Sequence, residues 1–130
     1  MNKIGGVAYF IDKPAFTSDD IIVERFSTEK MIICKGKVGE GDAVVDAVAV
    51  LQQHGFHAVV APSFDEDFAS LAEERGITTV TLNKKDLADM FKTFAEKDTE
   101  ANLIETDEGV EKVKLISGSL SKSYILNLED

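Results

Sequence analysis

The chain has 130 residues, 24 of them acidic and 14 basic, for a formal charge of -10. At this length it is one domain, residues 1–130, able to bury roughly two-thirds of its unfolded surface, and a 44% hydrophobic content with a mean hydropathy of -0.05 excludes a disordered chain. The negative field argues against nucleic-acid binding, no apolar run nears the ~20 residues that span a bilayer, and the single cysteine, Cys34, excludes an internal disulfide or a multi-cysteine metal site within one chain.

Residues 1–6 lack the apolar region of a signal peptide, so a cytoplasmic protein is expected. Val7–Ile11 predicts a strand, broken by Asp12-Lys13-Pro14. Thr17-Ser18-Asp19-Asp20 then reads as a helix start, with acids where the helix dipole favours them, in a short element ending near Arg25. Lys30–Lys35 predicts a second strand.

Three strand–helix repeats follow. Strand 31–35 leads through the tight turn Gly39-Glu40-Gly41 into a helix over 42–53, with Val44, Ala47, Val48 and Leu51 on its buried face. Gly55 ends that helix, strand 57–61 follows, and Pro62 stops it. The helix over 64–75 has Ser63 and Glu66 as a candidate capping box and Phe64, Phe68, Leu71 and Ala72 as its apolar face. Strand 77–82 precedes a helix over 84–94, capped by Asn83, with Leu87, Met90, Phe91 and Phe94 facing the core. Such alternation argues for parallel strands joined by crossovers.

After Phe94 the pattern changes. A polar connector over 96–100 precedes a strand at 101–105, a hairpin turn at 107–109 and a partner strand at 110–116. A turn at Gly118 and a strand over 124–128 close the series.

Two blocks resemble the small, swivelling domain of aconitases and 3-isopropylmalate dehydratases. Where that family has Gly-x-Gly-Ser-Ser-Arg-Glu-His-Ala, this chain has Gly39-Glu40-Gly41-Asp42-Ala43-Val44-Val45-Asp46-Ala47. The glycines and the alanine stand, while both serines, the arginine and the histidine are absent. Family small subunits also carry Asp-Thr-Asp-x-Ile-Ile-Pro-x-Arg-Tyr, which Asp19, Ile21, Ile22 and Arg25 match, with Ser18 for threonine and Phe26 for tyrosine. A third stretch, Ala58 to Leu82, is similar through Ala61-x-Ser63-Phe64 and the helix after it. Only residues 27–38 separate the first block from the glycine loop, where the family carries a longer insertion. The resemblance is therefore to a shortened member.

The resemblance implies an α/β fold in three β/β/α layers. A parallel sheet of strands near 31–35, 57–61 and 77–82 would carry helices on one face, and the N- and C-terminal strands would form a second, mostly antiparallel sheet on the other. It also implies a partner. In the family an iron-sulfur cluster sits in a large subunit, and the small domain closes over it to contribute substrate contacts. This chain would hold no cofactor of its own and would act in the isomerising dehydration of a hydroxy-dicarboxylic acid, a step of leucine biosynthesis. The alternative is a non-catalytic member that keeps the fold for binding or assembly.

Asp19, Arg25, Gly39, Glu40, Gly41 and Asp42 are the candidate substrate-binding residues. A small organic acid suits a bidentate guanidinium and a positioned base, but Val44 supplies neither, and a carboxylate such as Asp42 is unfavourable beside an anion. For the glycine turn, a tight strand-to-helix connection with an acidic cap is favoured over an anion cradle. Asp19 reads equally as a site residue or a helix-start acid, and an ion pair is favoured for Arg25. His54 reads as a helix cap and Cys34 as a core thiol.

Overall fold

A computed structural model describes residues 3–26, 28–95, 98–106 and 109–125. In chain order the elements are β1 (Lys3–Ile11), β2 (Ala15–Phe16), α1 (Ser18–Val23), β3 (Met31–Cys34), β4 (Lys37–Val38), α2 (Val44–Gln53), β5 (Ala58–Ala61), α3 (Glu66–Glu74), β6 (Thr78–Thr81), α4 (Lys84–Phe94), β7 (Glu100–Thr106), β8 (Gly109–Ser117) and β9 (Leu120–Ile125). The expected turn at 107–109, connector at 96–100 and final strand at 124–128 fall partly outside the described residues.

The fold is mixed α/β, with parallel and antiparallel strands as expected. Seven strands run in the order β6-β5-β3-β1-β7-β8-β9, and β2 and β4 form a small parallel pair. The two halves of the large sheet are continuous, not separate, because β1 serves both. Its residues 8–11 pair in parallel with 31–34, and its residues 3–7 pair antiparallel with 100–104. The change of partner follows Gly5-Gly6. A Cβ on Gly6 would lie 2.6 Å from the Cβ of Lys30, so only glycine lets the chains pass this closely.

Period-two alternation sorts the central strands onto two cores. Ile32, Cys34, Val59 and Ala61 face α1, α2 and α3, with Ile21, Val44, Val48, Leu51 and Phe68. Met31, Ile33, Ala58 and Val60 face the antiparallel strands, with Leu103, Val113, Leu115 and Tyr124. Helices, parallel strands and antiparallel strands thus form three layers. The helix α4 departs from the expected arrangement. Its Leu87, Met90 and Phe94 pack into the second core, on the face opposite α2 and α3.

Three of the helix starts have side-chain caps. Thr17 and Asp20 exchange hydrogen bonds, Asp20 N donating to Thr17 Oγ1 at 3.2 Å and Thr17 N to Asp20 Oδ2 at 3.1 Å. Asn83 Oδ1 accepts from Asp86 N at 2.8 Å. The cap of α3 is Asp65, which accepts from Phe68 N, and not Ser63 as the sequence suggested. The backbone of Ser63 is already engaged: its carbonyl accepts from Val38 N at 3.1 Å. No described helix is long and apolar enough to cross a membrane.

Candidate functional site

The carboxyl ends of β2, β4 and β5 feed three segments that meet around the glycine loop, at the end of parallel strands where α/β folds place ligands. The pair β2–β4 sets Phe16 beside Val38. Gly39 N then donates to Phe16 O at 2.9 Å, and Asp65 N donates to Val38 O at 2.9 Å. Segments 16–18, 38–40 and 63–65 are therefore tied by backbone hydrogen bonds.

Ser18 makes the closest link. It is fully buried, its Oγ donates to Gly39 O at 2.8 Å, and its N donates to Glu40 O at 2.9 Å. The first residue of α1 therefore supports the glycine turn from beneath, and satisfies a carbonyl that burial would otherwise leave unpaired. Gly39 (φ +98) and Gly41 (φ +124) both adopt a backbone that favours glycine. A Cβ at Gly39 would overlap the Phe68 side chain and lie 2.9 Å from its Cδ1. Phe68 of α3 thus packs directly against the turn.

The candidate residues fall into two groups. Gly39, Glu40, Gly41 and Asp42 form the turn, and Asp19 follows Ser18 at its side. The Asp19 carboxylate is exposed and has no hydrogen bond to a described residue. Arg25 lies beyond the other end of α1, a helix about 9 Å long. It is exposed, without the expected ion pair to a described residue. Its neighbours are pinned: Tyr9 Oη donates to the Glu24 carboxylate, and the Tyr9 and Phe26 rings pack edge to face at 5.6 Å. That bond to Glu24, with partial burial, pushes the Tyr9 hydroxyl up to about 12.

Glu40 and Asp42 are exposed, and the Glu40 carboxylate lies 3.7 Å from Lys37 Nζ. Asp42 is not an acidic cap: the N-cap of α2 is Ala43, without a side-chain hydrogen bond. Val44 faces the core at 9% exposure, so it shields the first turn of α2 from within and presents nothing to a ligand. The turn carries more negative than positive charge and has no bidentate donor, so as an isolated surface it disfavours a dianion.

Sequence reasoning missed the roles of Ser18 and Phe68 in holding the turn. Ser18 was read as part of a helix start and as the counterpart of the family's threonine, and Phe68 only as a core position. His54 is the C-cap of α2, as expected, its backbone N donating to Val50 O at 3.1 Å. The C-terminal carbonyl of α2, His54 O, accepts from Lys30 Nζ at 2.7 Å, while the His54 ring packs against Phe26 at 5.6 Å.

The donor set does not fit an iron-sulfur cluster. Cys34 is fully buried between sheet and helices, and burial pushes its thiol above the ordinary range. Among the described residues no three His, Cys, Asp or Glu side chains gather as metal ligands.

No family model matches the chain. Two curated relatives carry the name 3-isopropylmalate dehydratase small subunit. The protein of Rhodopirellula baltica is 27% identical over 127 residues, covering 92% of this chain and 63% of that protein. The protein of Paenibacillus polymyxa is 27% identical over 74 residues, covering 57% of this chain and 42% of that protein. The chain thus spans less than two-thirds of the length of either relative. The chain, with its glycine turn and 17–26 segment joined as described, is thus similar at low identity to curated 3-isopropylmalate dehydratase small subunits.

Proposed function

We propose that this chain is a small-subunit-like component of a 3-isopropylmalate dehydratase or aconitase-type hydro-lyase, active only with a cluster-bearing large subunit. The observation that carries this reading is Ser18, which joins the 17–26 segment to the glycine turn by two hydrogen bonds. Those are the two segments that resemble the family's substrate-handling blocks. Their junction at the carboxyl end of the parallel strands is where a domain closing over a partner's site would present them.

In this reading the cluster, its cysteines and the Lewis-acid chemistry belong to the partner. This chain contributes the exposed Asp19 and the backbone of the glycine turn, with Arg25 at the far end of α1. The missing guanidinium at Val44 must then be supplied by the partner. The protein would work in the cytoplasm.

The test is reconstitution. The purified chain is mixed with a cluster-loaded 3-isopropylmalate dehydratase large subunit, and isopropylmalate dehydration is followed by ultraviolet absorbance. Turnover is expected in the mixture alone, with loss in Asp19→Ala. Turnover by the isolated chain, or no complex and no turnover in the mixture, would overturn the proposal.

The burial of Val44 favours a second reading, a member that binds the partner without supporting chemistry. A stable complex with no turnover would select it.

A further inference from the structure

We propose that the hollow between α4 and the carboxyl ends of β1 and β3 binds a small organic anion with a flat apolar body, independently of the function proposed above. The hollow measures about 420 Å³ and is lined by Phe10, Asp12, Lys35, Phe91 and Lys92, with Ala88 and Ala95 as its small members. It is large enough for a small-molecule ligand. Phe10 and Phe91 pack against the second core, on the face of the parallel strands opposite the glycine turn.

Its shape follows from the sequence. On α4, residues 88, 92 and 95 share one face at helical spacing. The two alanines leave space that longer side chains would fill, and Lys92 rises between them. Phe10 and Phe91 form an edge-to-face pair with centroids 5.2 Å apart at 86°. A perpendicular pair leaves ring surface on which a third flat group can pack.

The charge on this hollow opposes that of the molecule. The chain carries -10 overall, yet two lysines and one aspartate line this site. Lys35 Nζ lies 3.5 Å from Asp12 Oδ1 and 5.7 Å from the centre of the Phe91 ring. Asp12 thus offsets one ammonium. Lys92 makes no salt bridge to a described residue. The side chains that line the hollow thus carry one more cation than anion beside an aromatic wall, with Asp89 near Lys92 but outside the lining. The complementary ligand is a carboxylate on an aromatic or similarly flat body. A bare inorganic anion would use the cations alone, and a neutral ring the aromatic wall alone.

The same hollow touches the route to the glycine turn. Lys35 follows β3 directly and Asp12 follows β1, and these two connections lead to β4 and to β2. A ligand here would brace both connections without occupying the turn.

The probe is benzoate, titrated into the isotope-labelled full chain while backbone amide shifts are recorded. Benzamide and inorganic phosphate serve as comparison ligands. Saturable shifts are expected at residues 10–12, 35 and 88–95. Lys35→Gln and Lys92→Gln should each weaken binding by about two- to fivefold, the range open to exposed ion pairs. Both lysines are exposed, and unchanged shifts elsewhere will show that the variants fold. Benzamide and phosphate should both bind more weakly than benzoate. The proposal is overturned if benzoate gives no saturable shift up to about 50 mM, well past the weakest useful affinity. It is equally overturned if the shifts cluster elsewhere, if either lysine variant binds unchanged, or if benzamide or phosphate matches benzoate.

Discussion

Replacing Gly39 by alanine should destabilise the protein far more than the same change at Gly41. Both glycines have positive φ, +98 and +124, so each substitution incurs backbone strain of about 1–3 kcal/mol. Their surroundings differ. The new methyl at Gly41 would meet nothing closer than the Ser18 Cβ at 3.7 Å, an ordinary contact. At Gly39 it would overlap Phe68, a ring fully buried in the core and unable to swing away. Overpacking of that kind adds about 1–3 kcal/mol. The expected losses are therefore about 2–6 kcal/mol for Gly39→Ala and about 1–3 kcal/mol for Gly41→Ala. Against a total of about 5–15 kcal/mol for a domain, the first change approaches complete unfolding. Urea denaturation followed by circular dichroism measures both, with an unchanged slope showing that the unfolded state is the same. Equal losses in the two variants, or a Gly39→Ala protein as stable as wild type, would refute the account of Phe68 as the wall behind the turn.

Ser18→Ala removes the donor to the Gly39 carbonyl and should cost about 1–3 kcal/mol in the same denaturation assay. Val44→Arg, which would restore a guanidinium at that loop position, should lower the melting temperature, because Val44 faces the core and overpacking there costs about 1–3 kcal/mol. Tyr9 and Tyr124 are the only tyrosines, and the chain has no tryptophan, so tyrosinate absorbance reads both cleanly. Hydrogen bonding to Glu24 raises Tyr9 to about 12, and burial with a bond to Asp89 raises Tyr124 further. Both raised values mean stabilisation that is present below the unfolded value of about 10 and lost as pH rises through the folded values. Half-ionisation of either tyrosine near pH ~10 in the folded protein would contradict this.

The order and type of most elements were legible in the amino-acid sequence, because they depend on local spacing. Val44, Ala47, Val48 and Leu51 repeat at helical intervals, and Asn83 caps a helix whose expected range, 84–94, matches α4. Met31–Cys34 and Ala58–Ala61 are short apolar runs, as strands covered on both faces require. It was the resemblance to the small-subunit family, not local pattern, that marked the 17–26 segment and the glycine turn as candidate site elements.

Other features depended on which segments meet in space. Local pattern marks an apolar face without saying which layer it covers, so the location of α4 against the antiparallel strands became visible only in the fold. The sharing of β1 between two sheet halves depends on the close passage of Lys30 by Gly6, residues far apart in the chain. Asp65 rather than Ser63 caps α3 in a segment whose backbone pairs with distant Val38. Ser18 shows the same division. A hydroxyl among acids at a helix start reads as a cap from sequence alone. Its work of holding the glycine turn requires Gly39 and Glu40, some twenty residues on, to be folded over it, since a hydrogen bond acts only across about 3 Å.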